Sequence, residues 1–149
     1  INDLYFVFST QEEVGLRGAK TAAYRIDPDI GIALDVTAHG DTPKAKRFAI
    51  GLNKGAAIKV KDNSIICHPK IREILVNIAK ENEIPYQMEV LEFGGTDSGA
   101  IHINKEGVPS GVISIPTRYV HSTVEMASKN DIINCVKLLI KFLENEINI

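Results

Sequence analysis

The chain has 149 residues, of which 44% are hydrophobic and 24% charged, with a formal net charge of −2. That length holds one domain with a real core and not two comfortable ones, in a composition ordinary for a globular chain. The balanced charge argues against nucleic acid or an acidic membrane as a partner drawn by bulk electrostatics, and no apolar run reaches the roughly 18 residues that span a bilayer.

Two cysteines, Cys67 and Cys135, lie far apart without CxxC spacing. They read as small buried hydrophobes in a reducing compartment, so a cytoplasmic protein is expected. The first residue is Ile1, and no charged start leads into an apolar signal segment. The chain opens almost at once into an apolar run, which raises the expectation of further sequence upstream.

In chain order, residues 4–8 are continuous and apolar, rich in aromatic residues, as in a strand covered on both faces. Residues 9–15 form the polar loop leaving it. Leu16, Ala19, Ala23 and Ile26 make one helical stripe, stopped by Asp27-Pro28. Residues 30–36 form a second apolar strand, and 37–46 a loop with Gly40-Asp41 and Pro43 as turn signals. Residues 56–60 form a third strand, turned by Asp62-Asn63. Ile71, Ile74, Leu75 and Ile78 have helical spacing, which predicts a helix over 69–82. Residues 86–93 alternate as a fourth strand, 94–99 are a glycine-rich loop, and 111–115 a fifth strand ended by Pro116. The last element is a helix, with Ser128 as its cap, Asp131 as a capping-box partner, and Ile132, Val136, Leu139, Ile140 and Leu143 as its apolar face. Strands alternating with helices predict an α/β layered domain with a mostly parallel or mixed central sheet flanked by helices.

In open α/β sheets, ligands collect beyond the carboxyl ends of the strands. Glu12 and Glu13 follow the first strand, Asp35 ends the second, Thr96, Asp97 and Ser98 follow the fourth, and His121 and Glu125 follow the fifth. Adjacent carboxylates on an extended segment point in different directions, so one can hold a metal while the other accepts a proton from metal-bound water. The plain alternative is a solvated acidic loop. Asp35 at the end of an apolar strand needs a partner, whether a metal, a helix cap or a salt bridge. A lone histidine such as His121 is more often not a ligand, and His39, His68 and His102 are left as ordinary. Together Glu13, Asp35 and His121 offer two oxygen ligands and one nitrogen, a set that suits zinc, cobalt or manganese.

Four stretches resemble the M42 metallopeptidases, a family of glutamyl and deblocking aminopeptidases with some members labelled endoglucanase. They are Ser9-Thr10-Gln11-Glu12-Glu13-Val14-Gly15-Leu16-Arg17-Gly18-Ala19, Ala33-Leu34-Asp35-Val36-Thr37, Gly94-Gly95-Thr96-Asp97-Ser98-Gly99-Ala100, and Ile115-Pro116-Thr117-Arg118-Tyr119-Val120-His121-Ser122. The resemblance implies a zinc-peptidase-like fold and hydrolysis of N-terminal residues from peptides by a water activated by two divalent metal ions, zinc or cobalt. It implies Glu12 as general base, Glu13 and His121 as ligands of one metal, and Asp35 as a ligand of the other. Gly95, Thr96, Asp97, Arg118 and Tyr119 would shape the substrate pocket, and Glu125 would stand behind the ligands.

The resemblance also implies that residues 1–149 are the C-terminal portion of a catalytic domain. The family's upstream histidine ligand and bridging aspartate have no counterpart here, nor has its inserted β-domain. The chain alone is therefore expected to bind metal weakly or not at all and to be inactive, while the full-length protein forms a homo-oligomer, a dodecamer in the family. Peptides are the expected partners, without nucleic acid or membrane.

Three other readings compete. A nucleophilic hydrolase would use Ser98 or Ser122 with His121 and Asp97, but has no GxSxG elbow and leaves the Glu-Glu pair unexplained. A glycoside hydrolase would use Glu12 and Asp97, but aromatic residues are only 6% and there is no Trp to stack on sugar. A non-catalytic subunit would keep the fold for assembly.

Overall fold

The computed structural model describes residues 2–149. The elements are α1 (Arg17–Ile26), β1 (Gly31–Ala38), β2 (Ala56–Lys61), α2 (Pro69–Glu81), β3 (Tyr86–Val90), α3 (Ser98–Ile101), β4 (Ser110–Arg118), β5 (Met126–Ala127) and α4 (Lys129–Glu144). The sheet runs β1-β4-β2-β3, with β5 paired to the end of β4. β1 lies parallel to β4 and β3 parallel to β2, while β2 and β4 are antiparallel. The sheet is therefore mixed, and α2 closes the β2–α2–β3 crossover.

Side-chain alternation splits the sheet into two unlike faces. On one face Ala56, Ile58 and Ile113 meet Ile71, Leu75 and Ile78 of α2 and Cys135, Leu138 and Phe142 of α4, and all of these are buried. Pro69 starts α2 where a missing N–H costs nothing. The other face carries the small cluster Ala33, Ile65, Cys67 and Val112 and, beside it, buried polar groups. Both cysteines are free and buried, and burial pushes the Cys67 thiol up to about 11 and Cys135 to about 12.

Several expected elements are corrected. Residues 4–8 form no strand and pair with nothing among the described residues; Phe6 is 71% and Phe8 97% exposed. A doubly covered strand needs neighbours on both sides, and β1 pairs only with β4, leaving its outer edge and Leu34 and Val36 uncovered. The fourth strand stops at Val90, after a register shift opposite Lys59 and Lys61. The glycine-rich loop ends in a short helix, α3, from Ser98. Pro116 does not end its strand. On the β2/β5 side of β4 it falls between the β2 pairing, last at Ser114, and the β5 pairing, first at Thr117, where a missing N–H is tolerated.

The expected capping box on α4 is also absent. Ser128 precedes the helix, but its hydroxyl donates to Asn53 Oδ1 at 2.5 Å. Asp131 is fully buried and accepts from the backbone N–H groups of Asn53 (2.7 Å) and Gly55 (2.8 Å). Two backbone donors satisfy that carboxylate better than one cap bond, so it fastens the loop before β2 instead.

Candidate metal and catalytic site

The Glu-Glu pair sits on a turn wound onto the start of α1. Gly15 and Leu16 N–H donate to Glu12 O at 3.0 and 2.9 Å, and Gly18 N–H donates to Thr10 O at 2.9 Å. Gly18 is required there, because a Cβ would stand 2.4 Å from Thr10 N. Gln11 and Leu16 take left-handed backbone, with φ of 56° and 54°. The two carboxylates are thereby divided: Glu12 is half-buried, and Glu13 is exposed with its Oε2 3.1 Å from His121 Nε2. Burial, first, and then the charges of Asp35, Glu13 and Asp97 push the Glu12 carboxyl up to about 7, with His121 opposing. A carboxyl poised near neutrality suits proton transfer.

Asp35 lies on β1 opposite Ser114 of β4. Its Oδ1 accepts from Val36 N–H at 2.7 Å. Burial raises its pKa, the Val36 N–H and the charge of Lys59 oppose, and Asp97 and Glu13 add to the rise. Asp97 accepts a hydrogen bond from the Ser9 hydroxyl, which ties the loop before α3 to the segment before the Glu-Glu pair. Its Oδ1, and the Oγ1 of buried Thr96, make no hydrogen bond among the described residues. Gly95 and Gly99 press on Ser64, where an added Cβ would come within 2.8 and 2.4 Å of its side chain. What the structure gives for these glycines is close approach to the Ser64 side chain.

His121 follows β4 on a left-handed backbone, φ 65°, as does Tyr119, φ 59°. Glu125 accepts from the His121 backbone N–H at 2.7 Å, so it holds the segment rather than the ring. Arg118 is bound by Asp41, and Tyr119 is exposed. Ser98 Oγ donates to Gly111 O at 2.7 Å and Ser122 Oγ accepts from Val124 N–H at 3.3 Å. His121 faces Glu13 and neither serine is joined to it, so no nucleophilic serine pair is assembled.

Beneath the site lies a charge network that the sequence reading missed. Lys59 Nζ is 3.0 Å from Glu89 Oε1 and 3.4 Å from Asp62 Oδ2, and Thr37 Oγ1 donates to Glu89 at 2.5 Å. All four residues are buried. Asp62 Oδ1 also accepts from Ser64 N–H, Ser64 Oγ and Ile65 N–H, so the network supports Ser64 and the loop on it. The available signal was a charge set between apolar neighbours in each of two adjoining strands, Lys59 between Ile58 and Val60 in Ala56–Lys61 and Glu89 between Met88 and Val90 in Tyr86–Val90.

Glu13 and His121 fit a metal in part. Two ligands of one tetrahedral zinc, each at about 2.0–2.1 Å, stand roughly 3.3 Å apart, close to the 3.1 Å seen here. Asp35 is not drawn in with them: among the described residues no group of three or more His, Cys, Asp and Glu side chains gathers as metal ligands. Among the same residues no helix is long and apolar enough to cross a membrane.

The fold is a layered α/β domain with a mixed sheet and an acid-rich edge. The family model for M42 glutamyl aminopeptidase matches residues 1–138. A protein of Acetivibrio thermocellus assigned as an aminopeptidase is 61% identical over 140 residues, covering 94% of this chain and 42% of its own length. An aminopeptidase of the archaeon Desulfurococcus kamchatkensis superposes with a TM-score of 0.88 at 47% identity, over 91% of this chain and 39% of that one. The TET1 peptidase of Pyrococcus horikoshii, which can assemble into a tetrahedron or a large octahedral shell, gives a TM-score of 0.75 at 32% identity, over 91% and 39% of the two chains. This chain belongs to the M42 peptidase family, and it spans about two-fifths of the length of the curated relatives it matches.

Proposed function

We propose that this chain supplies one side of the active site of a metal-dependent aminopeptidase that removes N-terminal residues from peptides. The observation that carries the reading is the Glu13–His121 pair at 3.1 Å beside a Glu12 carboxyl pushed up to about 7. Glu13 and His121 would hold one divalent ion, zinc or cobalt, and Asp35 a second. When bound, such ions would acidify a water and polarise the scissile carbonyl. Glu12 takes the proton of the attacking water and returns it to the leaving amine. Asp97, whose buried Oδ1 makes no hydrogen bond among the described residues, Thr96 and Gly95 would line the approach of the peptide's first residue, with Arg118 and Tyr119 lining the same wall or holding the His121 segment.

A histidine ligand and a bridging carboxylate belong, on this reading, to sequence outside residues 1–149, so the chain alone holds metal weakly and is inactive. The complete protein assembles as a homo-oligomer, in keeping with the shells formed by the Pyrococcus horikoshii relative, and works in the cytoplasm. Removing metal with a chelator abolishes hydrolysis of aminoacyl nitroanilides by the complete gene product, and zinc or cobalt restores it. Chelator-insensitive hydrolysis contradicts the reading, and tight binding of two zinc ions by residues 1–149 alone contradicts the division of the site.

A further inference from the structure

His121 reaches Glu13 from a segment with little to hold it. Residues 121–127 are all exposed, and Tyr119 and His121 both take left-handed backbone, φ 59° and 65°, which side-chain-bearing residues keep only when their surroundings enforce it. Within the segment, Ser122 N–H donates to Tyr119 O at 3.0 Å and the His121 N–H to Glu125 at 2.7 Å. Both bonds are local and would travel with the segment if it moved. The short β5 pairing, Thr117 with Ala127 and Arg118 with Met126, closes the hairpin at its base.

Among the described residues, the side-chain tie from this base to the β1 side of the sheet is Arg118. Its Nε donates to Asp41 Oδ1 at 2.6 Å and its Nη2 pairs with Asp41 Oδ2, a two-point grip. Asp41 lies on the loop leaving β1, the strand that carries Asp35. His39 Nε2 is 3.2 Å from Asp41 Oδ2, and His39 Nδ1 is 3.0 Å from Ile50 O. Asp41 thus joins the end of β4, the exit of β1 and the loop before β2. The Arg118 guanidinium, then His39, holds its carboxyl down at about 2, so the grip is ionic throughout the working range.

We infer that Asp41 is a positioning residue for the metal site, locking Arg118 and through it the strained 119–125 segment that aims His121 at Glu13. The inference rests on the reading of Glu13 and His121 as ligands of one ion. Neither the four stretches of family resemblance nor the acid-rich edge includes Asp41, because it acts only through Arg118.

The test uses the complete gene product and its Asp41→Asn, Asp41→Glu and Arg118→Gln variants. In metal-free protein, Asp41→Asn speeds hydrogen exchange in 119–125 about five-fold, the scale of one partly exposed ion pair, and leaves α2 unchanged. Arg118→Gln reproduces this, the double variant adds nothing, and Asp41→Glu restores most of the protection. With zinc added back, Asp41→Asn raises the zinc needed for half-maximal activity by a similar factor, and saturating zinc recovers kcat. Unchanged exchange in 119–125, faster exchange spread equally over α2, or an unchanged zinc requirement overturns the inference. Absence of any metal-dependent activity in the unsubstituted protein overturns the reading of the site instead, and the metal-free exchange comparison still decides whether Asp41 holds the segment.

Discussion

Two groups of charges lie within reach of Asp35 and behave differently. Lys59, Glu89 and Asp62 are at most 3% exposed and sit between strands whose positions are fixed by the α2/α4 core behind them. Glu13 and His121 have side chains 71% exposed and sit on segments held by turns and a hairpin base. The first group is bound to the fold, since a buried charge without its partner is expensive. The second is available, since little is lost when its partner changes. Asp35 lies between them, within the field of Lys59 on one side and of Glu13 on the other.

The largest expected effect breaks the buried group. Lys59→Ala leaves two carboxylates buried without their cation and costs about 3–5 kcal/mol by urea denaturation. Lys59→Met with Glu89→Gln restores part of that loss, because one buried carboxylate, Asp62, rather than two is then left without its cation. A double variant no better than the single one would mean that the network is not coupled as its distances indicate.

A smaller effect separates the groups by pH. The Glu12 carboxyl is raised from 4.5 to about 7 in the folded chain. The folded state therefore holds this proton more tightly than the unfolded state. The resulting stabilisation is full below pH 4.5 and is lost as the pH rises through about 7. In metal-free chain, Glu12→Gln removes that slope and melts higher than the parent at pH 7.5 to about pH 8. Parallel melting profiles for parent and variant would contradict the assignment of the shift to Glu12.

The smallest effect concerns the uncovered apolar run. Phe8 is 97% exposed, so Phe8→Ser in residues 1–149 changes stability by no more than about 0.5 kcal/mol. A cost above about 2 kcal/mol for the same change in the complete gene product would show that other parts of that protein bury this run.

Much of the frame was legible in the sequence because its signals are local. The 3.6-residue stripe of α2, with Ile71, Leu75 and Ile78 buried, and the apolar runs of β2 and β4 report burial against a neighbour in the chain, and Asp27-Pro28 reports a stop. On α4 the expected face is corrected: Ile132, Val136 and Ile140 are exposed, and Asp131, Cys135, Leu138 and Phe142 are the buried residues, because the helix is turned so that this face meets the sheet. Residues 4–8 carry the same apolar signal without such a neighbour, so pattern alone overstated their pairing. Pro116 misled because a chain-order reading does not see where ladders on one strand edge stop and start. Asp131 misled because the N-terminal box is a local motif, and its actual donors, Asn53 and Gly55, come from a distant loop. For the site, Asp97 and His121 were readable as residues beyond strand ends, following β3 and β4; Asp35 instead lies inside β1, with Val36, Thr37 and Ala38 still paired to β4, and Glu12 and Glu13 follow a run that forms no strand among the described residues. The division of Glu12 from Glu13, the closeness of Glu13 to His121, and the Lys59 network beneath required the register of the sheet.

The most direct measurement is the turnover of an aminoacyl nitroanilide by the Glu12→Gln variant of the complete gene product, with metal shown to be bound. The account predicts metal content and KM close to the parent's and a kcat lower by about 10²- to 10⁴-fold, the range for loss of a general base. A metal-loaded Glu12→Gln enzyme with the parent's kcat would contradict the role of Glu12 and the mechanism built on it.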